Sequence, residues 1–209
     1  IVSRAVVPEG VVDLFEAAGL KKPDISVLSE EFLAEVSGIP YKNLAVEVLR
    51  KLLTGEIRTR KQRNVVQARS FAEMLEQALR RYQNRAIDAV QLLDELIQLA
   101  RQIRDADRRG ILLGLSDEEL AFYDALAACQ DPQAALADDV LRALAREVLR
   151  VVRANVSVDW TVRENARARL RVLVKRTLRK HGYPKDKEGK AAQTILEQAE
   201  ALSDTWLAA

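Results

Sequence analysis

The chain has 209 residues, enough to bury a sizeable core as one elongated domain or as two small ones. Hydrophobic residues make up 48% of it and charged residues 31%, with only 8 glycines and 5 prolines, which excludes a disordered polypeptide. The formal net charge of +2 permits a nucleic-acid partner but does not require one. Alanine, leucine, arginine and glutamate dominate, and these residues favour helices.

The single cysteine and the lack of a long apolar segment predict the cellular compartment of the protein. Cys129 has no second cysteine to pair with, which favours a reducing compartment and predicts a cytoplasmic location. No apolar run approaches the roughly 18 residues needed to span a bilayer, so we expect no membrane partner. The sequence starts at Ile1 without a methionine or a signal-peptide pattern, which is typical of a piece of a longer chain.

The first forty residues are short segments separated by turn-forming residues. Ser29 is placed to cap a helix that runs through Val36, and Pro40 follows the end of that helix. We predict that residues 1–40 form a helical connector and that residues 41–209 form a helical C-terminal domain.

An amphipathic helix is predicted from Lys42 to about Thr54, because its leucines and valines recur at helical spacing. Gly55 marks its expected end. The polar and basic stretch from Thr54 to Asn64 has too few apolar residues to contribute to a core.

The most regular segment begins at Ser70, which has the capping-box spacing with Glu73. We predict one long central helix over Ser70–Arg109, ended by Gly110 and about 50 Å long or more. Its apolar positions follow steps of three and four: Phe71, Leu75, Ala78, Tyr82, Ala86, Ala89, Leu93, Leu96, Ala100 and Ile103.

A second capping box, Ser116 to Glu119, predicts a helix through about Ala128. Another helix is expected to open at Asp138 or Asp139, because apolar residues recur at helical spacing after it.

The remaining segments are a short connector, a basic helix, a loop and a final helix. The basic helix is predicted from about Thr161 to Lys180, the loop over Lys185–Lys190, and the end of the last helix near Trp206. Trp160 and Tyr183 flank the basic helix, and we expect both to be buried anchors. The whole pattern predicts an all-α, elongated bundle of about seven to nine helices.

Catalytic motifs are nearly absent. The sequence has no phosphate-binding loop, because its single Gly-Lys pair, Gly189-Lys190, is followed by alanine. His181 has no cysteine or second histidine near it, and its place at the end of the basic helix favours a role at the helix terminus. Cys129 is interpreted as a packed or surface thiol rather than a nucleophile.

The letters of one nuclease motif do occur, as Pro23-Asp24 and Glu188-Gly189-Lys190. A metal site of that kind needs carboxylates on adjacent strands, and the sequence predicts no strands. We therefore expect no metal site and no catalytic residue.

Basic residues form two clusters, Arg58–Arg85 and Asp159–Lys180, each with eight basic residues against two acidic ones. In the second cluster four cations spaced four apart form one ridge of a helix. Such cations neutralise DNA phosphates or pair with acids such as Asp94 and Glu95, and both interpretations stay open. The residues selected as DNA-binding candidates are Arg58, Arg60, Lys61, Arg63, Arg163, Arg167, Arg171 and Lys175.

Several stretches of the sequence, spread over about residues 20–206, form a recognisable set. They are Lys22-Pro23-Asp24-Ile25-Ser26, Lys42-Asn43-Leu44-Ala45-Val46-Glu47, Arg63-Asn64-Val65-Val66-Gln67, Arg80-Arg81-Tyr82-Gln83-Asn84-Arg85, Glu119-Leu120-Ala121-Phe122-Tyr123-Asp124-Ala125-Leu126, Asp159-Trp160-Thr161, Val174-Lys175-Arg176 and Gly182-Tyr183-Pro184. Together these stretches resemble the C-terminal helical region of the R subunit of type I restriction enzymes, and they carry family likeness rather than catalytic motifs.

This resemblance implies a parent subunit that is an ATP-dependent site-specific deoxyribonuclease with a DNA translocase motor. The nuclease and motor domains, with their ATP and magnesium, lie outside this chain, so no cofactor is expected here. The resemblance implies a non-catalytic module that docks the motor subunit onto the modification and specificity subunits. The alternative is a helical module that binds duplex DNA without sequence preference.

Overall fold

The structure, a computed structural model, describes residues 28–130, 136–156 and 160–207, apart from the side chains of Asp204 and Leu207. The described residues divide into two compact units. The N-terminal unit comprises residues 28–59 and 70–109, and the C-terminal unit comprises residues 60–69 together with those described after residue 109. The structure predicted before residue 28 lies outside these ranges, and the division predicted at residue 40 stays a prediction.

All regular secondary structure in the described ranges is α-helical, which confirms the predicted all-α class. None of the helices in these ranges is long and apolar enough to cross a membrane. In chain order they are α1 (Glu30–Gly38), α2 (Lys42–Lys61), α3 (Val65–Gln83), α4 (Ala89–Leu113), α5 (Asp117–Ala127), α6 (Asp138–Asn155), α7 (Glu164–Lys180) and α8 (Glu188–Leu207).

Helix α1 begins where the sequence predicts. The Ser29 side chain accepts a hydrogen bond from the Phe32 N–H at 3.2 Å, which satisfies one of the free donors of the first turn. Glu30 of this helix forms ion pairs with Arg101 and Arg104 of α4 at 3.0 and 2.7 Å. The two guanidinium groups hold the pKa of Glu30 below its usual range.

Helix α2 is longer than predicted, because Gly55 lies inside it and does not end it. A glycine inside a helix costs only about 1 kcal/mol relative to alanine. The buried side chains of Leu52, Leu53 and Ile57 on both sides of it offset that cost. Packing thus overrides the local signal.

The prediction of one helix over Ser70–Arg109 is wrong. Helix α3 ends at Gln83 and α4 begins at Ala89, and Arg85 between them has a positive φ of 57°. The Ala86 N–H donates to the Arg81 carbonyl and the Arg85 N–H to the Tyr82 carbonyl, both at 2.9 Å, which is a Schellman motif with an arginine in the left-handed position.

A capping box that the sequence analysis missed then starts α4. The Asp88 carboxylate accepts from the N–H groups of Val90 and Gln91, and the Gln91 side chain accepts from the Asp88 N–H. At the other end α4 passes through Gly110 and stops before Gly114, whose φ is 63°.

The predicted start of the long helix, Ser70, also differs from the start observed in the structure. Ser70 and Glu73 are exposed positions inside α3 and form no cap. Asn64 caps this helix instead, because its side-chain oxygen accepts from the Gln67 N–H at 3.0 Å.

Helices α5 to α8 pack around the core of the C-terminal unit. Its largest fully buried side chains include Phe122, Leu144 and Leu170. Trp160 is 1% exposed and Tyr183 3% exposed, which confirms that both are anchors. The Ser116–Glu119 capping box of α5 is confirmed as well.

Two boundaries in this unit differ from the prediction. Helix α7 begins at Glu164 rather than Thr161, and α8 begins at Glu188, inside the segment predicted as a loop. The connector after Val156 lies partly outside the described residues.

Candidate functional site

A buried polar network surrounds the turn between α2 and α3. Asp124 of α5 accepts hydrogen bonds from the Asn64 side-chain amide at 2.8 Å and the Gln67 amide at 2.7 Å. Arg60 donates to the side-chain oxygen of Gln67 at 2.9 Å. All four side chains are less than 10% exposed, so each depends on the others for its hydrogen bonds.

Gln198 of α8 holds the same turn from another side. Its side-chain oxygen accepts from the Val65 N–H at 2.8 Å, and its amide donates to the Arg63 carbonyl at 2.9 Å. Gln198 has no exposed surface. The α2–α3 turn is therefore joined to both α5 and α8 by buried hydrogen bonds.

Other stretches that carry the family resemblance meet in the same unit. The Tyr183 hydroxyl donates to the Leu126 carbonyl at 2.8 Å, and burial raises the pKa of this hydroxyl. Trp160 packs in the same core, and its indole Nε1 has no acceptor among the described residues. Several of the residues that carry the family resemblance, among them Asp124, Trp160 and Tyr183, are therefore buried in the C-terminal unit.

The first group of DNA-binding candidates is divided by burial. Arg60 is only 7% exposed and donates to Gln67 in the polar network, which leaves little of its side chain for a phosphate; its DNA-binding role stays a prediction. Arg58, Lys61 and Arg63 are exposed and stay candidates.

The second group, the ridge Arg163/Arg167/Arg171/Lys175, lies along the flank of α7 beside α8. Arg167 forms an ion pair with Glu200 at 3.4 Å, and Arg171 donates to the Gln193 side chain at 2.6 Å. Lys175 is half-buried, and Arg163 is exposed immediately before the helix. Both partners, Glu200 and Gln193, are residues of α8. They are not among the acidic residues that the sequence suggested as partners.

The carboxylate of the nuclease-like motif is engaged in packing. Glu188, the first residue of α8, is 4% exposed and accepts from Arg179 at 2.8 Å. Lys190 lies in the same first turn, whereas Pro23 and Asp24 lie outside the described residues. In the parts of the chain that the structure describes, no cluster of three or more metal-ligating side chains occurs.

His181 joins two helices at the end of α7. Its Nε2 lies 2.6 Å from a carboxylate oxygen of Glu147 in α6, and Lys180 donates to the other oxygen at 3.0 Å. These contacts, first with His181 and then with Lys180, hold the pKa of Glu147 below its usual range. The arrangement is an interhelical ion pair at a helix terminus.

Two arginines of α6, Arg146 and Arg153, contact neighbouring elements of the same unit. Arg146 lies 3.4 Å from Glu119 and donates to the Gly114 carbonyl at 2.7 Å. Arg153 lies 3.3 Å from Glu118 and stacks over the Trp206 ring at 5.9 Å from its centroid. These side chains cover the end of α4 and the first turn of α5.

The outer face of α7, formed by Arg169, Val172 and Arg176, is different. All three side chains are exposed, Val172 by 66%, and neither arginine has an ion-pair or hydrogen-bond partner among the described residues. Steps of four residues from Arg163 do not reach this face, so it is not among the predicted binding residues. The signal was the i, i+3, i+7 spacing on the side opposite Leu170 and Val174.

In the described residues the protein is an all-helical module, and several of its family-like residues serve packing and buried hydrogen bonding. The chain belongs to the family described as "Type I restriction enzyme HindI endonuclease subunit-like, C-terminal", whose model matches residues 1–205. This confirms the resemblance seen in the sequence.

Two relatives are similar over most of the chain. The Type I restriction enzyme HindI endonuclease subunit of Haemophilus influenzae is 39% identical over 204 residues, which are 98% of this chain and 19% of the relative. The putative type I restriction enzyme MjaIXP endonuclease subunit of Methanocaldococcus jannaschii is 35% identical over 184 residues, which are 87% of this chain and 18% of the relative. The chain thus spans about a fifth of the length of these relatives. No solved structure matches it.

Proposed function

We propose that this chain is a non-catalytic assembly module of a type I restriction endonuclease subunit. In that role it docks the ATP-dependent translocase and nuclease onto the modification complex of methyltransferase and specificity subunits. The main support for the proposal is the position of four residues from the family-like stretches. Their side chains make buried hydrogen bonds that hold the C-terminal unit together; the four are Asn64, Gln67, Asp124 and Tyr183.

The ion pairs of two carboxylates support the same proposal. The carboxylates with nuclease-like spacing or near the lone histidine, Glu188 and Glu147, are both held by cations of α7. A general base or metal ligand needs a carboxylate that can reach a substrate or an ion. A module built in this way contributes shape and surface, so the activity of the parent subunit would come from other domains.

The proposal is tested by deleting residues 1–209 from the full-length subunit that carries them. We expect the deletion to abolish co-purification with the modification complex in size-exclusion chromatography, while DNA-stimulated ATP hydrolysis by the remaining subunit persists. The isolated chain, added in excess to the intact subunit, should compete for the modification complex. Unchanged assembly of the deletion variant would refute the proposal.

Duplex-DNA binding remains a second candidate because Arg58, Lys61 and Arg63 are exposed cations. If instead the ridge of α7 bound phosphates, its four cations would give a log–log salt slope of about −3.6. Substituting all four by glutamine would then flatten the slope. Since Arg167 and Arg171 contact α8, we expect that variant to lose stability and to keep whatever DNA affinity the chain has. Fluorescence anisotropy with a short duplex at several salt concentrations separates the two outcomes.

A further inference from the structure

The outer face of α7 combines positive charge with exposed apolar surface. Arg169 and Arg176 are seven residues apart, which places their backbones about 10 Å apart along the axis. Val172 lies between them, 66% exposed. The side chains of Asn165 and Ala168 on the same side are exposed and short, so an approaching surface can come close to the helix backbone.

This face stands out because the neighbouring cations are already engaged. Arg167, Arg171 and Arg179 of the same helix have partners on α8, and Lys180 is paired with Glu147 of α6. Neither Arg169 nor Arg176 pairs with any described residue. An acidic partner surface would give each of these guanidinium groups the carboxylate that it lacks among the described residues.

The aliphatic side chain decides between a protein and a nucleic acid as the partner. Phosphate contacts are made by cations, hydroxyls, amides and backbone N–H groups, so an exposed valine adds nothing to them. Protein interfaces, in contrast, favour arginine at contact positions and bury apolar groups among polar ones. An arginine–valine–arginine row therefore fits a protein surface with complementary charge.

We infer that the outer face of α7 is a docking surface for an acidic protein surface, one that places two carboxylates about 10 Å apart on either side of an aliphatic side chain. A partner helix with acidic residues at i and i+7 and a leucine, isoleucine or valine between them meets this requirement. The inference rests on the proposed function, because the modification complex is taken as the protein that carries this acidic surface.

The test uses the full-length subunit and the purified modification complex, with affinity measured by biolayer interferometry. The double variant Arg169→Glu/Arg176→Glu should bind at least about 100-fold more weakly, because two attractive contacts become repulsive. Val172→Ser should weaken binding about five- to tenfold by removing buried apolar area. Serine and valine have similar helix propensities, so this change leaves the helix intact.

A matched control carries the same change of charge elsewhere. Arg108→Glu/Lys185→Glu also reverses two exposed cations that lack partners among the described residues. It should bind like the wild type if the outer face of α7 is the docking surface. Thermal unfolding of all variants checks that none has lost its fold.

Each remaining outcome gives a definite answer. If the wild type binds the modification complex and the double variant binds equally well, the docking surface is elsewhere and the inference is overturned, while the proposed function stands. If the deletion of residues 1–209 leaves binding unchanged, the proposed function itself fails. If the double variant loses affinity for a short duplex but keeps the modification complex, and Val172→Ser affects neither, the face binds nucleic acid and the inference is wrong.

Discussion

Replacing Asp124 by alanine removes the acceptor on which the buried polar network converges. The amides of Asn64 and Gln67, which donate to it at 2.8 and 2.7 Å, would then be buried without an acceptor. Hydrogen bonds to a charged group contribute about 1.5–3 kcal/mol each, and a stranded buried donor costs a similar amount. We expect Asp124→Ala to lower the free energy of unfolding by about 3–5 kcal/mol.

Asp124→Asn tests which part of this effect comes from charge. Asparagine has nearly the same shape, and its carbonyl oxygen can still accept both hydrogen bonds, while the charge is removed and the second oxygen is replaced by an NH2 group. We expect a loss of about 1–2 kcal/mol. The exposed acid Asp186 of the same unit, replaced by alanine as a control, should change stability by no more than about 0.5 kcal/mol.

Urea titration followed by tryptophan fluorescence measures these differences. Both tryptophans, Trp160 and Trp206, lie in the C-terminal unit, so the signal reports on the unit that contains Asp124. For a chain of this length 1 kcal/mol corresponds to about 2–4 °C in Tm, so Asp124→Ala should lower Tm by about 6–20 °C. A loss of less than about 1 kcal/mol for Asp124→Ala would refute the interpretation that this network holds the α2–α3 turn.

Three further predictions follow from single residues. Trp160→Ala should cost about 3–5 kcal/mol in urea titration, and Trp160→Phe much less, since the indole Nε1 has no acceptor among the described residues. Arg85→Gly should raise stability by about 0.5–1 kcal/mol, because glycine adopts a φ of 57° without strain; a decrease would mean that Arg85 makes a stabilising contact. The lowered pKa of Glu147 means that its ion pair stabilises the fold above the ordinary pKa of 4.5 and is lost as the pH falls through the folded-state value. Stability curves of wild type and Glu147→Gln should therefore differ at pH 7 and converge in acid, and curves that stay parallel would contradict this assignment.

Local sequence signals located the helices well when no distant partner competed with them. Ser29 and Ser116 cap α1 and α5 as their spacing predicts. The prediction that Ser70 caps a helix is wrong, because Asn64 caps that helix six residues earlier. The Asn64 side chain is held there by a hydrogen bond to Asp124, which is distant in the sequence. The break at Arg85 escaped notice because an arginine is an uncommon residue in a left-handed position.

The surface was harder to predict than the fold. Steps of four from Arg163 selected a ridge, but which side of α7 faces α8 depends on packing that the sequence does not display. The ridge therefore includes Arg167 and Arg171, which contact α8, and omits Arg169 and Arg176, which have no partner among the described residues. The family likeness identified the parent subunit, because family-specific stretches hold information that physical patterns do not.

The C-terminal unit is built from two segments that are far apart along the sequence. Residues 60–69 belong to it although residues of the N-terminal unit flank them on both sides in the sequence. The Val65 N–H finds its acceptor on Gln198, 133 residues later. During synthesis the α2–α3 turn therefore stays hydrated until at least residue 198 has emerged from the ribosome, and loop closure over such a distance slows folding. A fragment that starts at residue 110 would lack residues 60–69. Asp124 and Gln198 would then lose the groups of the α2–α3 turn to which they hydrogen bond.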